Sequence, residues 1–182
     1  TVLSTVLAKT AYDMYWTSNV ECAFSLKDSS RVLAALKKYH ANILEIIQEW
    51  RPKSIMEGTV AKSDLFLIYV SARDDTEYMI KQQVRSKEDF LWVAHPRVYY
   101  QGLSRVTTVV MGQTLTHDNE FIGDKSQIVL SPKTLKCIRS IMFCALAASK
   151  GGTFAPPSFY GQPRENLVRG CANSMGKLFI PI

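Results

Sequence analysis

The residues best placed for chemistry lie in one loop, Gly151-Gly152-Thr153-Phe154-Ala155-Pro156-Pro157-Ser158-Phe159-Tyr160-Gly161-Gln162-Pro163. It sits between two helical patterns and ahead of a final apolar segment, where a phosphate-binding loop would sit. A working loop of that kind reads G-x-x-x-x-G-K-[ST]. Its backbone N–H groups and Lys cradle the phosphates, and its hydroxyl holds Mg²⁺. Aligned on Gly161, the first Gly is replaced by Pro156, the Lys by Gln162 and the Ser/Thr by Pro163. Pro156, Pro157 and Pro163 have no N–H to donate. Phe159 and Tyr160 put bulk where the backbone must approach phosphate oxygens. Gln162 brings no positive charge to a triphosphate, a loss on the order of several kcal/mol. The N-terminus of the next helix keeps a weak anion site, and Arg164, one position past the lost hydroxyl, offers a partial substitute charge. The loop predicts a site that does not hydrolyse ATP and holds neither ATP nor ADP as a cofactor.

Other reactive residue types form no comparable arrangement. Cys22, Cys137, Cys144 and Cys171 show no C-x-x-C pair and no metal spacing. Cys137 and Cys144 are placed to share one helix face as small apolar groups. His40, His95 and His117 stand in no triad or ligand pattern and read as structural or surface residues. Asp74 and Asp75 are adjacent on a helical pattern and point in different directions, which argues against a shared metal. No metal site is expected. Trp16, Trp50, Trp92, Tyr99 and Tyr100 read as core, with Arg97 beside them in a structural ion pair.

The chain has 182 residues, 47% hydrophobic and 21% charged, with a formal net charge of +6. That composition supports a globular core in one domain or two small ones. Lys and Arg are scattered, so no nucleic-acid partner is expected. No apolar run approaches membrane-spanning length, so no membrane partner is expected either. Reduced thiols point to a cytosolic compartment. The first residues, Thr1-Val2-Leu3, do not read as a signal peptide, and both ends read as cuts into a longer chain.

The elements that must position these residues are helical first. Residues 5–24 carry Val6, Tyr12, Tyr15, Trp16 and Val20 at helical spacing. Asp28-Ser29-Ser30 supplies an N-cap for a helix through Val32, Leu36, Tyr39, Ile43, Ile46, Ile47 and Trp50. Lys37, Lys38, Asn42, Glu45 and Gln48 fall on its other face. Arg51-Pro52 is expected to end it, and residues 53–62 to form a turn-rich link around Gly58. Residues 64–84 admit strand or helix at their start, and helix is the favoured reading. Ser86-Lys87-Glu88-Asp89 resembles a capping box that opens a short helix through Phe90, Leu91 and Trp92, and Pro96 constrains the residue before it.

The pattern changes near Gly102. Residues 105–111 are rich in β-branched types and predict a strand, with residues 115–121 as its antiparallel partner across Gly112-Gln113-Thr114. Residues 127–130 predict another short strand. Ser131-Pro132 begins a helix reaching about Lys150, which Gly151-Gly152 ends. A last helix follows Pro163, and residues 178–182 form a closing strand.

Several segments in order resemble the dynein heavy chain family. Trp16-Thr17-Ser18-Asn19-Val20-Glu21-Cys22-Ala23-Phe24 is similar to W-T-x-x-V-E-x-A. Arg73-Asp74 resembles the R-D that precedes the next element. Asp89-Phe90-Leu91-Trp92 with Pro96-Arg97-Val98-Tyr99-Tyr100 resembles D-F-x-W-x-x-x-x-R-Y-Y. Glu120-Phe121-Ile122-Gly123-Asp124 resembles E-Y-L-G-N. Ile128-Val129-Leu130-Ser131-Pro132-Lys133-Thr134 resembles L-V-I-T-P-L-T, and Cys137 falls at the family's R-C. Gly151-Gly152 then precedes the loop at the family's spacing, and Gly170 fits as well.

This resemblance implies the end of a swinging linker and the start of the first AAA+ module of a ring. The fold class it implies is mixed α/β: a helical linker-end segment, a short β-ribbon, then the beginning of a P-loop-type α/β subdomain. The boundaries are 1–101, 102–130 and 131–182. Ile128, Val129, Leu130, Ser131 and Pro132 would lie against adenine, and the loop containing Pro156, Gly161, Gln162, Pro163 and Arg164 would wrap the phosphates. The family's G-P-A-G-T-G-K-T is here Pro156-Pro157-Ser158-Phe159-Tyr160-Gly161-Gln162-Pro163, and the chain stops before any acidic metal-binding strand or sensor residue could appear.

The departures point to a non-catalytic segment, not an enzyme, most like the divergent dynein heavy chain domain-containing proteins of cilia and flagella. Its partners would be the rest of a dynein-like ring and linker and axonemal or dynein-associated proteins, in the cytoplasm and the axoneme. An alternative is part of a dynein-type microtubule motor whose ATP hydrolysis occurs in other ring modules. A third reading sets the resemblance aside and takes a basic α/β domain that binds an anionic ligand, with a salt-sensitive phosphate or RNA interaction.

Overall fold

The structure, a computed structural model, describes residues 2–26, 28–57, 60–102 and 105–117. It also describes residues 136, 137, 139–141, 143, 144, 147, 168, 169 and 172. In chain order the elements are α1 (Val2–Phe24), α2 (Ser29–Glu57), α3 (Val60–Lys81), α4 (Phe90–Ala94), β1 (Arg97–Tyr100), β2 (Val106–Val110) and β3 (Gln113–Thr116). The described residues are therefore mostly helical with a small antiparallel sheet, a mixed α/β arrangement as the sequence predicts.

Periodicity explains the helical layer. On α2, Val32, Leu36, Ile43 and Ile47 are buried, while Tyr39, Ile46 and Trp50 are half-buried. Lys37, Lys38, Asn42, Glu45 and Gln48 are exposed on the opposite face, as expected. Asp28 opens the helix, its carboxylate accepting from the Ser30 N–H at 3.0 Å. On α3, Ile68, Ala72, Thr76 and Met79 recur every three or four residues and are all buried. On α1 the buried face is Trp16, Thr17, Val20, Ala23 and Phe24. Tyr15, on the same helical spacing, is 58% exposed.

Two expected boundaries move. Helix α2 does not stop at Arg51-Pro52 but continues to Glu57, and α3 already begins at Val60. The turn-rich link expected over 53–62 is therefore mostly helix. A proline removes one intrahelical hydrogen bond, but α2 packs along α3 more extensively than any other pair of elements. Tertiary packing supplies most helical stability in a protein and overrides the local preference.

Helix α3 ends in a Schellman arrangement. The Val84 N–H reaches the Met79 carbonyl at 3.0 Å and the Gln83 N–H reaches Ile80 at 3.1 Å. Gln83 takes the left-handed position, φ 55°, that glycine usually fills. Val84 and Met79, the two ends of the wider bond, are both buried.

The short helix α4 is capped differently from the expected box. Asp89 is its N-cap, its carboxylate accepting from the Leu91 N–H at 3.0 Å. Ser86 instead closes the preceding turn, where its hydroxyl accepts from the Glu88 N–H at 3.0 Å and donates to the Glu88 carboxylate. An Asp next to the first helical residue reaches the orphan N–H groups directly, so Ser86 is one turn too early. Pro96 holds His95 extended, with ψ 137°, as expected.

The sheet has the order β1-β2-β3. Strand β1 lies in a segment the sequence reads as helical. Its four residues are too few to show a period, and it exists by pairing with β2, Arg97 opposite Val109 and Tyr100 opposite Val106. Strand β2 falls where expected. Its partner β3 starts earlier than expected, at Gln113, with Val110 opposite Gln113 and Thr108 opposite Leu115. The turn is thus two residues, Met111 and Gly112, with φ 51° and 74°, the signature of a type I′ hairpin. The Met111 N–H donates to the Val93 carbonyl at 2.8 Å, which ties the hairpin to α4.

Residues 136, 137, 139–141, 143, 144 and 147 are helical, within the helix expected to begin at Ser131-Pro132, and 168, 169 and 172 are helical within the one expected after Pro163. Cys137 is buried and Cys144 half-buried. The strands expected at 127–130 and 178–182 lie outside the described residues.

Candidate functional site

The loop positions Pro156, Gly161, Gln162, Pro163 and Arg164 lie outside the described residues, as do the adenine-side positions Ile128, Val129, Leu130, Ser131 and Pro132. What the structure places is the joint between the helical layer and the sheet. Three of the sequence segments that carry the family resemblance meet there.

Its centre is Trp92, fully buried on α4. The Trp16 ring of α1 lies 5.6 Å from it between centroids and the Phe24 ring 5.3 Å, edge-on. His95 packs against both indoles, tilted against Trp16 at 4.6 Å and stacked on Trp92 at 6.2 Å. The Arg97 guanidinium of β1 sits 5.8 Å from the Trp92 ring centroid. Arg97 is buried, and its stacking on Trp92 replaces the ion pair expected from sequence. Among the described residues no carboxylate lies within salt-bridge distance of it. A delocalised, weakly hydrated guanidinium is the cation best suited to such a face.

Polar groups fix the geometry that the rings fill. The Trp16 indole Nε1–H donates to Thr76 Oγ1 on α3 at 3.0 Å, and that hydroxyl donates onward to the Ala72 carbonyl at 2.7 Å. Thr17 donates to the Asp13 carbonyl at 2.7 Å and accepts the Val98 N–H of β1 at 3.3 Å. The Tyr99 hydroxyl donates to Glu21 Oε1 at 2.5 Å, and Glu21 Oε2 lies 3.5 Å from Lys87 Nζ. Asp74 and Asp75 diverge as expected. Asp74 pairs with Arg73 at 2.6 Å, while Asp75 lies 3.5 Å from His95 Nε2.

The W-T-x-x-V-E-x-A segment therefore presents Trp16, Thr17 and Glu21 to the segment that runs from Asp89 to Tyr100. The stretch after Arg73-Asp74 supplies Asp75 and Thr76 to the same joint. Trp16 and Trp92 are core, as the sequence predicts. Trp50 is half-buried and stands 5.6 Å from Tyr69. Tyr99 is half-buried, but Tyr100 at the end of β1 is 63% exposed and is not core.

A second aromatic cluster joins the three long helices. Tyr12 of α1 packs edge-on against Tyr69 of α3 at 4.7 Å, and Tyr15 meets Tyr39 of α2 at 6.5 Å. Burial pushes the Tyr12 phenol well above its ordinary range and Tyr39 up to about 12, and it raises Tyr69 as well. The Tyr99 phenol is also pushed up to about 12, by burial first and then by its hydrogen bond to Glu21. These are phenols kept neutral inside a packed layer. No group of three or more His, Cys, Asp or Glu that could hold a metal occurs among the described residues. His117, at the end of β3, meets the Thr108 hydroxyl at 2.7 Å, a structural contact of the kind expected for the histidines. The arrangement is suited to mechanical coupling: it locks α1, α3, α4 and β1 at one buried point.

Sequence reasoning missed Thr17 and Thr76 as members of this joint. The signal was present, because both are hydroxyl residues on otherwise apolar helix faces. A helical pattern does not say which distant donor a buried hydroxyl will meet.

No family model matches the chain. Comparison with curated proteins finds 26% identity over 164 residues to dynein axonemal heavy chain 3 of Homo sapiens, covering 90% of this chain and 4% of that protein. Identity to dynein axonemal heavy chain 5 of Rattus norvegicus is 25% over 170 residues, covering 92% and 5% respectively. Identity to dynein axonemal heavy chain 12 of Homo sapiens is 28% over 166 residues, covering 89% and 5%. The chain thus spans 4–5% of the length of these relatives. Over about nine-tenths of its length, then, the chain is similar to axonemal dynein heavy chains, the family that its motifs resemble.

Proposed function

We propose that the chain is a non-catalytic junction of a dynein-type heavy chain, joining linker-type helices to the start of a ring module whose nucleotide loop has degenerated. The observation that carries this reading is the buried joint around Trp92, where α1, α3, α4 and β1 interlock through Trp16, Thr17, Glu21, Thr76 and Arg97. Such a joint transmits or resists movement between helices and sheet. Interiors packed at crystal density carry displacement with little compression. The loss of catalysis in this segment rests on the sequence of its loop, through Pro156, Gln162 and Pro163. The relatives named as axonemal heavy chains support placement in a ciliary or flagellar axoneme, with the rest of a dynein-like ring and axonemal proteins as partners. No helix among the described residues is long and apolar enough to cross a membrane.

Titration calorimetry with Mg-ATP and Mg-ADP tests this reading, on a heavy chain that contains this segment and its complete first ring module. No heat at millimolar nucleotide is expected from this site. Micromolar binding abolished by Arg164→Ala overturns the degenerate-site reading and makes the loop a rebuilt regulatory nucleotide site. The second reading, a microtubule motor that hydrolyses ATP in other modules, draws on the same relatives. Turnover by the parent chain that survives Arg164→Ala supports it, and no turnover at all supports a purely structural role.

A further inference from the structure

We draw no further inference here: the strongest candidate, the charge-free outward stripe of α1 formed by Leu7, Ala11, Tyr15, Ser18 and Cys22, carries none because nothing in the structure shows what covers it.

Discussion

The indole N–H of Trp16 on α1 and the hydroxyl of Thr76 on α3 meet at 3.0 Å inside the core, sixty residues apart in sequence. The hydroxyl is used twice, accepting from the indole and donating to its own helix at Ala72. Replacing Thr76 with Val keeps the shape and removes the acceptor. A buried donor left without a partner costs about 1–3 kcal/mol. Urea unfolding of Thr76→Val should show that loss. Trp16→Phe in the same background should cost less than it does alone, because no orphaned N–H remains. Equal costs of Trp16→Phe in both backgrounds would mean that the hydrogen bond contributes nothing.

The buried phenols predict the alkaline limit of the fold. Tyr39 and Tyr99 ionise near 10.0 in the unfolded chain and at about 12 when folded. A raised folded pKa gives stability that is complete below pH 10 and is lost as pH rises through 12. The unfolding free energy should therefore be insensitive to these groups at neutral pH and fall between pH 10 and 12. Tyr99→Phe should make that fall shallower and cost about 1 kcal/mol at neutral pH, through the bond lost to Glu21. An unchanged slope between wild type and Tyr99→Phe excludes Tyr99 from the linkage.

Capping of α4 separates two neighbouring candidates. Asp89 supplies the cap and Ser86 the turn before it. Asp89→Ala should cost about 1 kcal/mol, and Ser86→Ala clearly less, read as the difference in urea midpoint. The reverse order would restore the capping box that the sequence suggests.

Two non-glycine residues occupy left-handed backbone, Gln83 at the end of α3 and Met111 in the hairpin turn. Both positions favour residues without a Cβ conflict or with a local polar substitute. Gln83→Gly and Met111→Asn should each raise stability by about 0.5–1 kcal/mol. A higher thermal midpoint for each variant checks this. A lower midpoint for Gln83→Gly would show that the 3.0 Å contact of Gln83 with Arg85 outweighs the backbone relief.

Much of the helical layer was legible in the sequence. Val32, Leu36, Ile43 and Ile47 recur at helical spacing, and a period of that kind needs no knowledge of what it packs against. Asp28 was legible as a cap because its carboxylate acts within three residues. The strand at Val106–Val110 was legible from its β-branched residues. Pro52 misled, because local propensity is outweighed where two long helices pack together. Strand β1 was not legible, since Arg97–Tyr100 is extended by its pairing with β2 and not by its own four residues. The sequence predicts an ion pair for Arg97 because it cannot show that an indole face lies beside it.

The sequence alone determined the make-up of the loop: Gln162 carries no Lys charge and Pro156, Pro157 and Pro163 have no N–H groups, whatever the loop's shape. It also determined the order of motifs by which the chain resembles the dynein heavy chains, because order and spacing are properties of the chain itself. Tertiary structure alone decided that three of those motifs form one joint. Trp16, Thr76, Trp92 and Arg97 are brought together by helix packing and strand pairing, and such contacts form only once the intervening chain has folded and its loop-closure entropy is repaid by burial.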